Sequence, residues 1–184
     1  DPRLVADNWT GSSAKLEACL ELVTEAVAGG HRILLFSQFT SMLELLAKRL
    51  DEAGVSHFTL QGSTPKPVRA EQVRRFNQGE ADVFLISLRA GGTGLNLTAA
   101  DIVIHYDPWW NLAAQNQATD RAYRIGQRNP VQVYRLIAQD TIEEKIVELQ
   151  QAKQLLADTV TGGADGAILS MNPEQLLQLL GEEA

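Results

Sequence analysis

Short apolar runs alternate with amphipathic stretches along most of this chain, and this alternation limits the possible folds more than any other feature. The runs at 33–36, 83–86 and 102–104 are continuously apolar, as in strands that are buried on both faces of a sheet. Segments 55–60 and 131–137 have the composition of two further strands. Because helical stretches separate the strands, the sequence predicts an α/β fold with a doubly wound, mainly parallel sheet and flanking helices.

Several of the predicted helices begin at residues that favour helix starts. Ser13 and Thr40 can cap the first two helices, and a short helix is predicted over 68–77. Thr141 and Glu144 stand three residues apart, which is the spacing of a capping box, at the start of a long helix that reaches about residue 158.

These elements divide the chain into four parts. We expect a lead-in over 1–12, the sheet domain over 13–158, a glycine-rich linker over 159–171 and a C-terminal amphipathic helix over 172–184. The leucine stripe of that helix has two interpretations, since it can cover the sheet domain or contact a partner. A chain of 184 residues is long enough for one good core and too short for two ordinary domains.

The net charge of −7 argues against a generally cationic nucleic-acid binder. Any polyanion would therefore bind to local basic patches. Two such clusters are present: Lys66, Arg69, Arg74 and Arg75 in one, and Arg121, Arg124, Arg128 and Arg135 in the other.

The sequence also indicates the cellular setting. Cys19 is the single cysteine, so no intrachain disulfide can form, and its apolar helical context indicates a core residue. No apolar run approaches the roughly 18–20 residues that span a bilayer, and no leader opens the chain. We therefore expect an intracellular protein without membrane partners. His31 and His57 share no metal-ligand spacing with a cysteine or an acid, so no metal site is expected in the protein itself.

Two segments after predicted strands could contact ligands. The segment over 87–96 contains three glycines, which allow backbone N–H groups to approach phosphate, although their order does not match a dinucleotide fingerprint. After the fourth strand, Trp109 is expected to pack inward, whereas Trp110 is left to lie against a sugar or a base. His105 ends a buried strand and is expected to be a hydrogen-bonded structural residue.

A third segment carries the arginines. The helix that Asn111 opens is predicted to place Gln117, Arg121 and Arg124 on one face, at spacings of four and three. Two guanidinium groups and an amide suit a nucleotide phosphate site, and such arginines serve as fingers in phosphoryl transfer. The alternative is a pair of solvated arginines. The chain lacks a Gly-x-x-x-x-Gly-Lys-Ser/Thr loop and an Asp–Glu pair at a strand end, so it carries half of such a site.

Taken in order, these motifs resemble the second RecA-like lobe of the Swi/Snf-type (Snf2-family) helicase-like DNA-dependent ATPases of helicase superfamily two. The matching blocks are 33–39, 60–64 with Arg69 and 75–77, 85–97, and 107–111 followed by 117–127. Departures are modest: Gln61 stands where the family often has Asp, and Leu112 where Pro is usual. Asp120 before Arg121 is typical of the Swi/Snf-type group and favours a duplex translocase over a strand-separating helicase.

The resemblance implies roles for individual residues. Gln117, Arg121 and Arg124 would face ATP and Mg²⁺ bound mainly by an N-terminal RecA-like lobe, with the two arginines as fingers. Gly94 and Asn96 would border the ribose. The residues that would contact the DNA backbone or minor groove are Gln38, Ser87, Arg89, Gly91 and Trp110. The long helix and the acidic end of the chain would brace the lobe against the rest of the motor.

The implied function is the second motor lobe of a double-stranded DNA translocase that remodels protein–DNA complexes. Such a protein would be cytoplasmic or nucleoid-associated in a prokaryote and nuclear in a eukaryote. The lobe alone would not hydrolyse ATP. Two alternatives are a non-catalytic lobe that binds DNA or protein, and a lobe of a strand-separating helicase.

Overall fold

The computed structural model describes residues 1, 4, 13–88, 90, 95–109, 111–122, 127 and 130–161, with the side chains of 114 and 156–161 left out. Ten elements follow one another in chain order. They are α1 Ala14–Ala28, β1 Ile33–Ser37, α2 Thr40–Glu52, β2 His57–Leu60, α3 Lys66–Asn77, β3 Val83–Ser87, β4 Ile102–His105, α4 Leu112–Thr119, β5 Gln132–Arg135 and α5 Ile142–Thr161.

The five strands form one sheet in the order β2-β3-β1-β4-β5. Every pair is parallel, and the register sets Ile33 of β1 beside Val83 of β3 and Ile102 of β4. The predicted parallel α/β sheet is therefore confirmed. β2 and β5 are shorter than the sequence indicated, and both are edge strands, where one side lacks a hydrogen-bonding neighbour.

Helices cover both faces of the sheet because the central strands are apolar on both sides. Ile33 and Leu35 point into a cluster formed with α1 and α2. Leu34 and Phe36 point the other way, into a cluster that includes Phe76 of α3 and Ala118 of α4. All four strand residues are at most 1% exposed. The period-2 geometry of a strand thus builds two cores on one sheet.

The helix ends differ from the predicted caps. Ser13 occupies the N-cap position of α1 but its side chain makes no capping hydrogen bond, and Thr40 is the first residue of α2. At α5 the Thr141 hydroxyl accepts a hydrogen bond from the Glu143 N–H at 3.2 Å. The Glu144 carboxylate accepts from the N–H of Asp140 at 2.9 Å, one residue before the predicted partner. The positive φ of Asp140 turns the chain so that this N–H meets the helix start.

The predicted boundaries are covered only in part. α5 extends to Thr161, three residues beyond its predicted end at about residue 158. The C-terminal helix predicted over 172–184 and most of the lead-in lie outside the described residues. Among the described helices, none is both long enough and apolar enough to cross a membrane. The described part of the chain also contains no group of three or more potential metal ligands.

Candidate functional site

All five strands point the same way, so the loops that follow them open at one edge of the sheet. Ligands of open α/β sheets bind at this carboxyl edge. The predicted DNA-contacting residues Gln38 and Ser87 both lie here, directly after or at the end of β1 and β3. Five other residues with predicted roles lie outside the described residues, so their roles stay predictions: Arg89, Gly91, Gly94, Trp110 and Arg124.

Asp107 joins the ends of two neighbouring strands, β1 and β4. Its Oδ2 accepts a hydrogen bond from the Ser37 hydroxyl at 2.5 Å and one from the Gln38 N–H at 3.2 Å. The side chain is 6% exposed, and this burial raises the pKa of the carboxyl, while the bonds from Ser37 and Gln38 act in the opposite direction. Asp107 therefore fixes the backbone at Gln38. Asp107 was named in the sequence analysis only as part of a motif. Its position just after a buried strand could have indicated a polar residue at the carboxyl edge of the sheet.

Ser87 ends β3 opposite Ser37 in the parallel register. It is only 2% exposed, so its hydroxyl is buried. Gln38, in contrast, is half-buried at the same edge. Of the two described residues predicted to contact DNA, Gln38 is therefore the one with a side chain at the surface.

A cleft of about 610 Å³ lies between the loop after β2, the start of α3 and the segment at 95–96. Lys66 and Arg69 bring two positive charges to its wall, and Asn96 lines it as well. Arg69 also donates from Nη1 to the Ala90 carbonyl at 3.3 Å, which ties α3 to the glycine-rich segment.

The predicted basic cluster on α3 splits into two pairs of residues with different environments. Arg74 forms an ion pair with Glu71 at 2.5 Å, and Arg75 forms one with Glu80 at 2.7 Å. Lys66 and Arg69 line the cleft instead. The surface offered to a polyanion is therefore narrower than the sequence cluster indicated.

The predicted arginine helix is shorter than expected. α4 ends at Thr119, so Arg121 lies in the turn after it. Gln117 is exposed, whereas the Arg121 side chain is 2% exposed. The single helical face predicted for these two residues is thus wrong. Asp120 interrupts the helix because aspartate favours turns over helix interiors.

Hydrogen bonds from both the backbone and side chains connect the turn after α4, the end of α3 and the segment that leads into β4. The Leu97 N–H donates to the Arg121 carbonyl at 3.3 Å. The Gln127 side chain donates to the Ala100 carbonyl at 2.6 Å. Asn77, at the end of α3, donates to the Asn96 carbonyl at 2.8 Å and accepts from the Ala99 N–H at 3.2 Å. Asn96 and Arg121, which were predicted to act together on nucleotide, therefore lie on segments that are directly connected.

Comparison with known proteins agrees with this architecture. Residues 14–126 match the helicase conserved C-terminal domain. The chain belongs to that family, as a C-terminal RecA-like lobe of the Swi/Snf type. The lobe is similar to the C-terminal part of the Fun30 ATPase domain, whose crystal structure superposes with a TM-score of 0.72 at 36% identity over 75% of this chain and 45% of that one.

Two curated relatives illustrate how much larger such proteins are. An uncharacterized ATP-dependent helicase of Mycoplasma pneumoniae is 43% identical over 91% of this chain and 16% of its own length. The chromatin-remodeling ATPase INO80 of Aspergillus terreus is 46% identical over 90% of this chain and 10% of its own length. The chain therefore spans less than a fifth of the length of these relatives.

His105 ends β4 inside the lobe, as expected of a structural histidine. Its Nε2 lies 2.9 Å from the Thr119 hydroxyl of α4, and its ring stacks on Phe36 with centroids 5.5 Å apart. Burial, with a smaller contribution from Arg135, lowers the pKa of His105 from 6.5 to about 4. The neutral imidazole therefore joins β4 to α4 at neutral pH.

The start of α5 is attached to the lobe near Asp107. The Lys15 ammonium of α1 forms an ion pair with Glu143 at 2.5 Å and lies 5.0 Å from the centre of the Tyr106 ring. Glu143 also accepts from the Ala138 N–H at 2.9 Å. These contacts hold α5 against α1 and against the segment after β4. Sequence reasoning missed them because Lys15 and Glu143 are far apart in the chain.

Proposed function

We propose that this lobe is the second half of an ATP-dependent motor that moves along duplex DNA and remodels protein–DNA complexes. One observation carries the proposal: Gln38, held by Asp107, and the cleft with Lys66 and Arg69 open at the same carboxyl edge of the sheet. A hydrogen-bonding side chain and two cations on one edge suit a phosphate backbone, which supplies most of the sequence-independent binding energy.

Nucleotide chemistry would take place between this lobe and an N-terminal lobe. The described residues near the turn after α4 offer a guanidinium and amides, which suit phosphate oxygens. The described part of the chain has no cluster of carboxylates for a metal, so Mg²⁺ would be held mainly by the other lobe. Gln117, Arg121 and Arg124 would neutralise the phosphates, and Gly94 and Asn96 would contact the ribose. Bound Mg-ATP would supply the phosphoryl group and its free energy.

The burial of Arg121 adds a condition to this role. A side chain that is 2% exposed in the lobe reaches a phosphate only if the turn at 120–122 rearranges when the two lobes close. Closure driven by differential nucleotide affinity is the usual way in which such sites are completed. The same burial favours one alternative function, that of a non-catalytic binding lobe in which Arg121 has only a structural role.

Replacing the arginines in the full-length protein distinguishes these two readings. The assay is ATP hydrolysis with and without blunt duplex DNA. Arg121→Ala and Arg124→Ala should each lower the duplex-stimulated kcat by about 1,000-fold or more, because one finger supplies a factor of roughly 10³–10⁵. Arg74→Ala is the matched control, since Arg74 is exposed and paired with Glu71.

Two outcomes would count against the proposal. Unchanged duplex-stimulated hydrolysis in a variant that combines Arg121→Ala with Arg124→Ala would exclude the finger role and favour the binding lobe. A full-length wild-type protein that is inert with duplex DNA would exclude the motor itself. The same assay on the 184-residue chain alone should give no hydrolysis. The protein would act in the nucleoid or the nucleus, according to its source.

A further inference from the structure

The Trp109 peptide is held by two buried glutamine side chains. Its N–H donates to Gln115 Oε1 of α4 at 3.1 Å, and its carbonyl accepts from Gln150 Nε2 of α5. The two glutamines also contact each other, with Gln150 Nε2 3.3 Å from Gln115 Oε1. They are 1% and 4% exposed. We call Trp109, Gln115 and Gln150 the glutamine clamp.

The orientation of α5 makes this burial unusual. Gln150 is covered, while its neighbour Leu149 is 48% exposed and Gln151 is exposed. Burial of the apolar side chain would contribute more to stability than burial of an amide. The helix nevertheless presents the amide to the lobe, where it makes two hydrogen bonds. The clamp therefore fixes the position of α5 relative to Trp109, and it contributes little buried apolar surface.

The segment that contains Trp109 is fixed on its other side as well. Two residues earlier, Asp107 accepts hydrogen bonds from Ser37 and Gln38. The path 107–109 is thus anchored to β1 on one side and to α4 and α5 on the other. Through Asp107 it also holds the backbone of Gln38, the residue that the proposed function brings against the DNA backbone.

We propose that Gln150, acting with Gln115, is a positioning residue that sets the segment at 107–109, and through Asp107 the DNA-facing Gln38, according to the placement of α5. The proposal rests on the proposed function. Gln150 need not touch DNA or ATP; it acts through the Trp109 peptide. A displacement of α5 would withdraw the donor from the Trp109 carbonyl and release the segment.

Two substitutions remove the Gln150 donor in different ways. Gln150→Glu keeps the shape but puts an acceptor opposite the Trp109 carbonyl and Gln115 Oε1. Gln150→Met keeps the volume without a charge, and serves if the buried carboxylate prevents folding. Gln151→Glu is the control, because it makes the same chemical change one residue further along α5 at an exposed position.

The experiment uses the full-length protein and two readouts. Hydrogen exchange should increase at the Trp109 amide, in peptides that cover 106–111, while peptides from β1 keep the wild-type rate. In duplex-stimulated ATP hydrolysis, the half-saturating duplex concentration should rise about tenfold, which is the factor that one buried hydrogen bond is worth. The kcat at saturating duplex should stay within about twofold, and the control should match the wild type in both readouts.

A double-mutant cycle adds a third test. Gln115→Met combined with Gln150→Met should raise the half-saturating duplex concentration little more than the stronger single variant, because both act on the same peptide. Fully additive effects of the two substitutions on the half-saturating duplex concentration would show that the two glutamines act independently, against the proposal.

Each contrary outcome has a distinct meaning. Unchanged exchange at 106–111 in both Gln150 variants would overturn the clamp, whatever the enzyme does. Faster exchange with an unchanged half-saturating concentration would overturn the positioning role and leave a structural contact. If the wild type itself shows no duplex stimulation, the proposed function fails and the positioning role falls with it, and this case is recognised without any variant.

Discussion

Acidification should destabilise this lobe through one histidine, His105. The side chain is 1% exposed, and its pKa is lowered from 6.5 to about 4. Between these two values the unfolded chain binds a proton at His105 and the native lobe does not. The contribution of the neutral imidazole is therefore fully present above about pH 6.5 and is lost as the pH falls toward 4.

The size of this effect follows from the same two values. At about 1.4 kcal/mol per pKa unit, the interval from 6.5 to about 4 corresponds to roughly 3 kcal/mol in full. Between pH 7 and pH 5 the lobe should lose about 2 kcal/mol of unfolding free energy through His105, a large part of a typical total of about 5–15 kcal/mol. The titration of Asp107 changes the unfolding free energy in the opposite direction. Its pKa is raised in the native lobe, so the native carboxyl binds a proton more readily than the unfolded one.

Urea unfolding followed by circular dichroism at pH 7, 6 and 5 measures this difference. His105→Gln removes the titration and keeps an amide that can donate to the Thr119 hydroxyl. Its unfolding free energy should fall by about 2 kcal/mol less than that of the wild type between pH 7 and pH 5. Asn116→Ala, an exposed change on α4, should follow the wild type. Parallel pH profiles for His105→Gln and the wild type would refute the assigned burial effect.

Three further predictions concern buried groups. Burial raises the pKa of Cys19 to about 12, so the thiol should not react with Ellman's reagent at pH 8 until guanidinium unfolds the lobe; rapid native reaction would contradict its place in the core. Leu35→Ala, in the fully buried centre of β1, should lower the unfolding free energy in urea by about 2–5 kcal/mol, whereas Leu149→Ala on the exposed side of α5 should cost about 1 kcal/mol or less. Asp107→Leu should cost about 2–4 kcal/mol in the same assay, because it leaves the Ser37 hydroxyl and the Gln38 N–H without their acceptor; Asp107→Asn should cost less, and equal losses would argue against the two bonds.

The sheet could be predicted from the sequence because its signal is local. Each central strand is a short apolar run, and the helices between the strands force parallel pairing. Edge strands were predicted too long, since β5 keeps exposed residues such as Val133 and only Gln132–Arg135 pair with β4. The helix that was predicted to contain Arg121 was also too long. The turn preference of Asp120 outweighs the helical spacing of the residues around it.

The polar part of the site was much less accessible to sequence reasoning. Asp107 and Ser37 are 70 residues apart, and Gln150 and Trp109 are 41 residues apart. No periodicity relates such residues, so only the fold brings them together. A buried glutamine on α5 looks in the sequence like any solvated residue of an amphipathic helix. The motif resemblance indicated residues at the carboxyl edge of the sheet, but not the side chains that hold this edge in place.

The link between Leu97 and Arg121 gives the proposed motor a physical route from nucleotide to DNA. If lobe closure draws the turn at 120–122 outward, the Leu97 N–H must follow the Arg121 carbonyl or lose its partner, which lies 3.3 Å away. Movement of Leu97 shifts Asn96, which lines the cleft with Lys66 and Arg69. Adding a non-hydrolysable ATP analogue to the full-length protein should therefore change hydrogen exchange at 95–101 together with the turn. A response confined to the turn would show that the two segments move independently, and coupling would then require another path.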